Sequence, residues 1–455
     1  MLFERVVSEG LAHNSYLVAS AGRAAVIDPR RDVDIYAETA ARHELAITHI
    51  FETHRNEDYV SGSLELQDRC GAEIYHGHQT AFAFGNPVHE NDIFTLGSLE
   101  LEVLETPGHT EESISLVLRD REVSDRPCMV FCGDTLFAGE IGRTDFYGPE
   151  RKAEMAAKIH DSIRNKILPL GDGVIVCPAH GAGSICGGEI ADHPFTTAGY
   201  ERVTNPRLAL DRETFIRNRE AESPYLPPYF RQMEMQNLNG APLLHRVPDL
   251  RPLSITEVNR FRKSGCQILD IRSPTGFGAG HIPGSISVWR DGIPAFMGWF
   301  FDYDRPVVIV DDFNLALGEV ILHLVRLGYD TVAGYLAGGF PAWSKAGQEI
   351  ATVPTCSVGQ LRDRLETTTL FLLDVRDIRN RNAVGHIRGA RHIYIGELPG
   401  RLDEVPRDEP VFVYCDAGFK GSLAASILSL HHYHNVTNVL GGMSGWKQAG
   451  FRIEH

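Results

Sequence analysis

The second half of this 455-residue chain is written twice. Ile268-Leu-Asp-Ile-Arg272 returns as Leu372-Leu-Asp-Val-Arg376, and Gly280-His-Ile-Pro-Gly284 as Gly385-His-Ile-Arg-Gly389. Val307-Val-Ile-Val-Asp311 returns as Val411-Phe-Val-Tyr-Cys415, and Leu336-Ala-Gly-Gly-Phe-Pro-Ala-Trp343 as Val439-Leu-Gly-Gly-Met-Ser-Gly-Trp446. The offset is nearly constant and short β runs alternate with helical stretches, so residues 250–352 and 353–455 are expected to be two small doubly wound α/β domains.

The first 240 residues read differently. Asn14 to Val18, Ala24 to Asp28, Leu45 to Ile50, Leu99 to Leu104, Met129 to Cys132 and Gly173 to Cys177 are strand-like runs. Val33 to Arg42, Ser61 to Cys70 and Lys152 to Asn165 have helical spacing. Strands in two groups with helices outside suit a sandwich of two sheets clad by helices. Four polar turns follow strand-like runs: Phe51-Glu-Thr-His54-Arg-Asn56-Glu-Asp58-Tyr59, Glu105-Thr-Pro-Gly-His109-Thr110, Phe131-Cys-Gly-Asp134-Thr135 and Val176-Cys-Pro-Ala-His180-Gly181. Between the two halves, residues 222–252 are proline-rich and read as a semi-rigid connector, with at most a short helix near Arg231 to Asn237.

The four ordered turns resemble the metallo-β-lactamase superfamily, whose αββα sandwich gathers such turns at one edge to hold metal. Hydrolases of that superfamily typically carry His-x-His-x-Asp-His in the first turn and fill two zinc sites. Here the second His is Asn56 and the last is Tyr59. An amide and a neutral phenol are poor transition-metal ligands, so both metal positions are depleted. His54, His109 and Asp134 remain, a 2-His-1-carboxylate set suited to one Fe(II) per chain, with Zn as the alternative ion. In this superfamily the set resembles that of the persulfide dioxygenases, and Gly142-Arg143-Thr144-Asp145-Phe146 is also similar to theirs. The resemblance implies oxidation of a low-molecular-weight persulfide to sulfite. On this reading Arg143 holds the anionic part of a thiol carrier, with Tyr200 as a weaker candidate. His180, Cys186 and Tyr59 are substrate-facing, and Asp58 and Asn56 support the ligands from behind.

Both copies of the repeat resemble the rhodanese (sulfurtransferase) family. Only the second has the nucleophile, Cys415, in Cys415-Asp-Ala-Gly418-Phe-Lys420-Gly-Ser422. A strand–loop–helix layout cradles an anion with backbone N–H groups, and the cradle is expected to lower the thiol's pKa. Cys415 would carry sulfur as a persulfide, with Gly418 and Lys420 holding the sulfur donor. Lys420 stands where the family often has Arg, which weakens bidentate grip on thiosulfate. In the first copy the aligned residue is Asp311, which cannot accept a sulfane sulfur, and Cys266 is off the nucleophile position. That copy is expected to be catalytically silent.

A net charge of −16 excludes a whole-chain basic field for nucleic acid or an anionic membrane. The eight cysteines form no Cys-x-x-Cys pair, and most are expected to be reduced packing residues. No secretory leader or membrane-length apolar run is read in the sequence, so a soluble, cytoplasmic protein is expected. The whole is read as a homo-oligomeric persulfide dioxygenase and thiosulfate sulfurtransferase in sulfide oxidation, acting on persulfide, dioxygen, sulfite and thiosulfate. The rival reading is a zinc thioesterase of the glyoxalase II type with a rhodanese appendage.

Overall fold

Along the strand His13–Ser20, Tyr16 and Val18 point to one side and Leu17 and Ala19 to the other, and all four are buried. A strand apolar on both faces must be covered on both, which requires a second sheet beneath it and helices above. The computed structural model describes residues 1–187, 189–193 and 195–455. They divide into two compact units, Met1–Val247 with Leu322–Gly328, and Pro248–Ile321 with Tyr329–His455.

The first unit is the αββα sandwich. One six-stranded sheet runs, in spatial order, through Leu2–Ser8, His13–Ser20, Arg23–Ile27, Ala46–Glu52, Glu73–Gly77 and Asn86–Val88. The other runs through Thr196–Thr197, Ile175–Pro178, Met129–Gly133, Ile114–Asp120, Leu99–Glu105 and Ile93–Leu96. Tyr16, Val18, Ile27 and Phe51 meet Leu101, Val103, Leu116 and Phe131 in the shared core between the sheets. The helices Asp34–Arg42 and Ser63–Cys70 cover the outer face of the first sheet with Tyr36 and Leu66. Lys152–Ser162 and Arg212–Ala221 cover the second with Ala156, Ile159 and Phe215. Helical spacing carries the sequence expectation for the former to Asn165. The backbone instead widens into a π turn over Ile163–Ile167, which keeps Ile163 and Ile167 in the core. The connector holds one helix, Phe230–Asn239, which buries Phe230, Met233 and Asn237.

The second unit contains two five-stranded parallel sheets of identical order. The first is Pro252–Leu253, Val332–Leu336, Val307–Val310, Gln267–Asp270, Ser285–Ser287. The second is Thr355–Ser357, Val436–Leu440, Val411–Tyr414, Phe371–Asp374, Arg391–His392.

The repeated motifs have a mechanical meaning. Arg272 grips Asp270 with two nitrogens, at 2.9 and 2.7 Å, and donates to the Gly280 carbonyl at 2.7 Å. Arg376 grips Asp374 at 2.9 and 2.6 Å and donates to the Gly385 carbonyl at 2.8 Å. Asp-x-Arg therefore ties the end of a central strand to the Gly-His-Ile turn in both copies. The tryptophans repeat as well: Trp343 donates to the Glu349 carbonyl and Trp446 to that of Arg452, each at 2.9 Å. The helix Phe419–Leu430 lies against the edge strand of the other copy, where Ser287 meets Ser422 at 2.9 Å and Ser426 at 3.1 Å.

The Asp374–Arg376 pair is fully buried, so Arg376→Ala leaves an uncompensated carboxylate inside the sheet. The variant should lose about 3–5 kcal/mol, seen as a lower urea midpoint of the second unit. A wild-type midpoint would contradict this account of the motif.

Candidate metal centre

His54 follows the strand Ala46–Glu52, and its turn is fixed before the side chain is considered. Thr53 donates to Asp28 from its backbone nitrogen and from its hydroxyl, each at 2.8 Å. With the hydroxyl proton directed to Asp28, Thr53 Oγ1 accepts from His54 Nδ1 at 2.9 Å. His109 Nδ1 lies 2.9 Å from the Arg143 carbonyl, which can only accept. Both imidazoles are thereby set as Nδ1–H tautomers with a bare Nε2, the arrangement of a ligating histidine. Burial holds the His54 imidazole down at about 3, so it is neutral.

Asp134, just past the strand Met129–Gly133, closes the set. Its Oδ2 lies 3.4 Å from His109 Nε2 and 3.8 Å from His54 Nε2. Burial alone would raise this carboxyl, but His180, His54 and His109 together hold it well below the usual carboxylate range. Neither Nε2 has a hydrogen-bond partner although both are buried. Cis donors at about 2.1 Å from a metal stand on the order of 3 Å apart, so these groups fit a divalent transition ion.

His180 is differently placed. Nδ1 lies 2.7 Å from Asp134 Oδ1 and Nε2 3.0 Å from Asp58 Oδ2, so each ring nitrogen faces a carboxylate. Burial opposes its protonation, yet Asp134 and Asp58 outweigh it and raise the imidazole well above its ordinary value. Cys186 Sγ joins Asp58 and His180 within 4.8 Å. Its thiol is buried and pushed well up by that burial. Tyr59 is buried against the His13 ring, with centroids 3.9 Å apart. Asn56 turns back on its own loop and donates to the His54 carbonyl at 3.4 Å.

Arg143 does not present a free guanidinium. It grips Asp145 with two nitrogens at 2.8 Å and donates to the Ile185 and Tyr225 carbonyls. It also stacks over Phe146 and Phe230, so an anionic ligand would have to displace Asp145. Tyr200 is half exposed on the helix Ala198–Thr204.

Two contributors escape a sequence reading. Asn237 donates to the carbonyls of Asn56 and Tyr59 at 2.7 and 2.8 Å and accepts from the Ser61 nitrogen at 2.9 Å, bracing the first turn. Glu57 is buried with its carboxylate 3.5 Å from His109 Nε2. No periodicity marks the first, and the second sits at an unspecified position of the metal motif.

In the second unit, Cys415 follows the strand Val411–Tyr414, and the Gly418 nitrogen donates to its sulfur at 3.1 Å. Gly418 has φ +104°, a left-handed conformation that suits glycine and aims the nitrogen inward. The expected lowering of the thiol's pKa is not the net result. Burial pushes Cys415 up, and Lys420 with the nitrogens of Gly421, Gly418 and Ala417 offsets it only in part. Lys420 also pairs with Asp416 at 2.6 Å. In the first copy, Asp311 accepts from Asn314 of its own loop at 2.6 Å.

Comparison with known proteins gives two families. The metallo-beta-lactamase superfamily matches residues 9–180, and the rhodanese-like domain matches 254–346 and 357–449. The hydroxyacylglutathione hydrolase GloC of Haemophilus influenzae is 30% identical over 207 residues, spanning 41% of this chain and 87% of that protein. The mitochondrial persulfide dioxygenase ETHE1 of Homo sapiens is 29% identical over 202 residues, spanning 43% of this chain and 70% of that protein. The crystal structure of a metallo-beta-lactamase from Staphylococcus aureus is 30% identical with a TM-score of 0.66, covering 74% of this chain and 98% of that one.

The centre's geometry is sensitive at Gly142. A Cβ there would lie 1.9 Å from the Asp134 carbonyl and 2.9 Å from His109 Nδ1, so two of the candidate ligands would have to shift. Gly142→Ala should retain metal about tenfold less tightly, measured by chelator competition; wild-type retention would contradict the packing described.

Proposed function

On the premise that the chain belongs to the metallo-β-lactamase superfamily and carries two rhodanese-like domains, we propose that its first unit is an Fe(II) persulfide dioxygenase. On this reading the last domain is the sulfurtransferase that handles its sulfur. The observation that carries the proposal is the ligand set: the bare, buried Nε2 atoms of His54 and His109 converge on the Asp134 carboxylate, while His180 reaches that carboxylate through Nδ1 and leaves its own Nε2 unpartnered 3.0 Å from Asp58.

Iron held by His54, His109 and Asp134 would supply dioxygen activation and a Lewis-acid seat for the substrate's terminal sulfur. The chain's residues do the rest. Thr53 and the Arg143 carbonyl keep the two imidazoles in register. His180, with Nδ1 2.7 Å from Asp134 Oδ1, anchors the carboxylate ligand from behind. Asp145 holds Arg143 against Phe146, which packs edge-on to His109 at 5.1 Å and keeps water from that side. The net change is RSSH + O2 + H2O → RSH + SO3²⁻ + 2 H⁺, with the terminal sulfur oxidised and dioxygen reduced.

At the other site Cys415 would attack the outer sulfur of a persulfide RSSH, breaking its S–S bond and releasing RSH, and the resulting Cys–S–SH would pass that sulfur to sulfite, giving thiosulfate and the free thiol, or run the reverse. Lys420 supplies a point charge rather than a bidentate fork, which favours small persulfides over thiosulfate as donors. The first rhodanese-like copy is a non-catalytic support for the helix that follows Cys415. All eight cysteines are free. Among the described residues no helix is long and apolar enough to cross a membrane. Free thiols suit a reducing setting.

The rival is a thioesterase, favoured by the GloC likeness and by the Asp58–His180–Cys186 cluster beside the first site. Iron-loaded protein given glutathione persulfide should consume about one dioxygen per persulfide and release sulfite. Hydrolysis of an acyl-glutathione without oxygen uptake would overturn the proposal.

The two chemistries should separate. Cys415→Ser should abolish thiosulfate formation and leave persulfide-dependent oxygen uptake within about twofold of wild type. Loss of both activities in a folded, iron-loaded variant would contradict the two-site scheme.

A further inference from the structure

Glu57 is the buried acid at the centre that the three-ligand description leaves without a role. Its side chain is fully buried, and neither carboxylate oxygen has a hydrogen-bond partner. The nearest nitrogens are His109 Nε2 at 3.5 Å from Oε2 and Arg55 Nε at 3.9 Å from Oε1. Arg55 is itself engaged by Glu234 at 2.9 Å. An ionised carboxylate in such a place is costly unless a cation faces it.

The direction it faces is informative. One donor atom each from His54, Glu57 and His109 lies within 4.8 Å of the others. Glu57 Oε2 stands from His109 Nε2 at nearly the distance that Asp134 Oδ2 does, 3.5 against 3.4 Å. The two carboxylates therefore approach the same imidazole nitrogen, and the unpartnered atoms of His54, His109 and Glu57 share one small buried space.

We propose that Glu57 is a fourth protein ligand of the metal, making the centre a 2-His-2-carboxylate site. This rests on the reading of one transition ion at His54, His109 and Asp134. A second carboxylate would cancel the remaining charge of a divalent ion, and four protein donors would still leave it open to substrate. It also accounts for the turn's sequence. With Asn56 where the superfamily's second His stands, the next residue along supplies an oxygen donor to the same ion.

The test titrates metal-free wild type, Glu57→Gln and Glu57→Asp with Co(II) under anaerobic conditions, following visible d–d absorption and thermal midpoint. Glu57→Gln should bind Co(II) about 100-fold more weakly, and its d–d bands should intensify as coordination number falls. Glu57→Asp, which keeps the charge on a shorter arm, should fall between. The metal-free Glu57→Gln protein should melt no lower than metal-free wild type, because it exchanges a buried carboxyl group that has no hydrogen-bond partner for a neutral amide, and metal should raise its midpoint less. A loss of affinity under tenfold with unchanged bands would overturn the proposal, and so would a metal-free variant that melts early while binding Co(II) normally. Failure of the underlying reading looks different: wild type that binds the ion tightly, with Glu57-dependent affinity, yet takes up no oxygen with a persulfide once iron-loaded.

Discussion

Two hydrogen bonds from Nδ1 atoms, His54 to Thr53 and His109 to the Arg143 carbonyl, decide what the first unit can hold. Each places the imidazole proton on the outer nitrogen and leaves the inner one bare, so the site is prepared for a cation before one arrives. The sandwich exists, in this sense, to position acceptors. Asp28 at the end of one strand fixes Thr53, and the Gly142–Arg143 turn brings a carbonyl under His109. Packing between the sheets keeps those strand ends in place, which is why glycine at 142 belongs to the metal's environment although it donates nothing.

The same polar logic governs the second unit, with a different balance. Buried Asp–Arg pairs knit each copy and are satisfied on every side, so they stabilise the fold without reactivity. Cys415 lies beneath a cradle of backbone nitrogens yet is almost fully buried, and burial wins. A thiol held up in this way ionises less readily, and the nitrogens around it would stabilise an anionic sulfur. The difference between the two copies then comes down to one position. Asp311 is satisfied within its own loop, whereas Cys415 has only N–H donors around it.

Much of this architecture was legible in the sequence because it is written in short, repeated patterns. The period-two strands, the four strand-end turns and the duplicated Asp-x-Arg and Gly-His-Ile elements are local signals, and each recurs where the same mechanical job recurs. What was not legible depends on chain segments meeting across distance or on loop conformation. Arg143 reads as an available cation until the loop folds it back on Asp145, two residues away. Asn237 braces the first turn from a helix inside a proline-rich connector, at a sequence separation of 181 residues from Asn56. Glu57 occupies a position that the histidine template leaves unspecified, so attention to the template passes over it. The net shift at Cys415 could not be read because burial is a property of the whole domain, not of the loop.

The central claim is that one ion sits among His54, His109 and Asp134, with His180 bound through Nδ1 to the Asp134 carboxylate behind it. Native mass spectrometry of metal-free protein reconstituted anaerobically with excess Fe(II), and in parallel with excess Zn(II), reads this directly. The account predicts a single tightly held ion per chain with either metal, lost in His109→Ala and retained in Tyr59→Phe. Two tightly held ions per chain would contradict it.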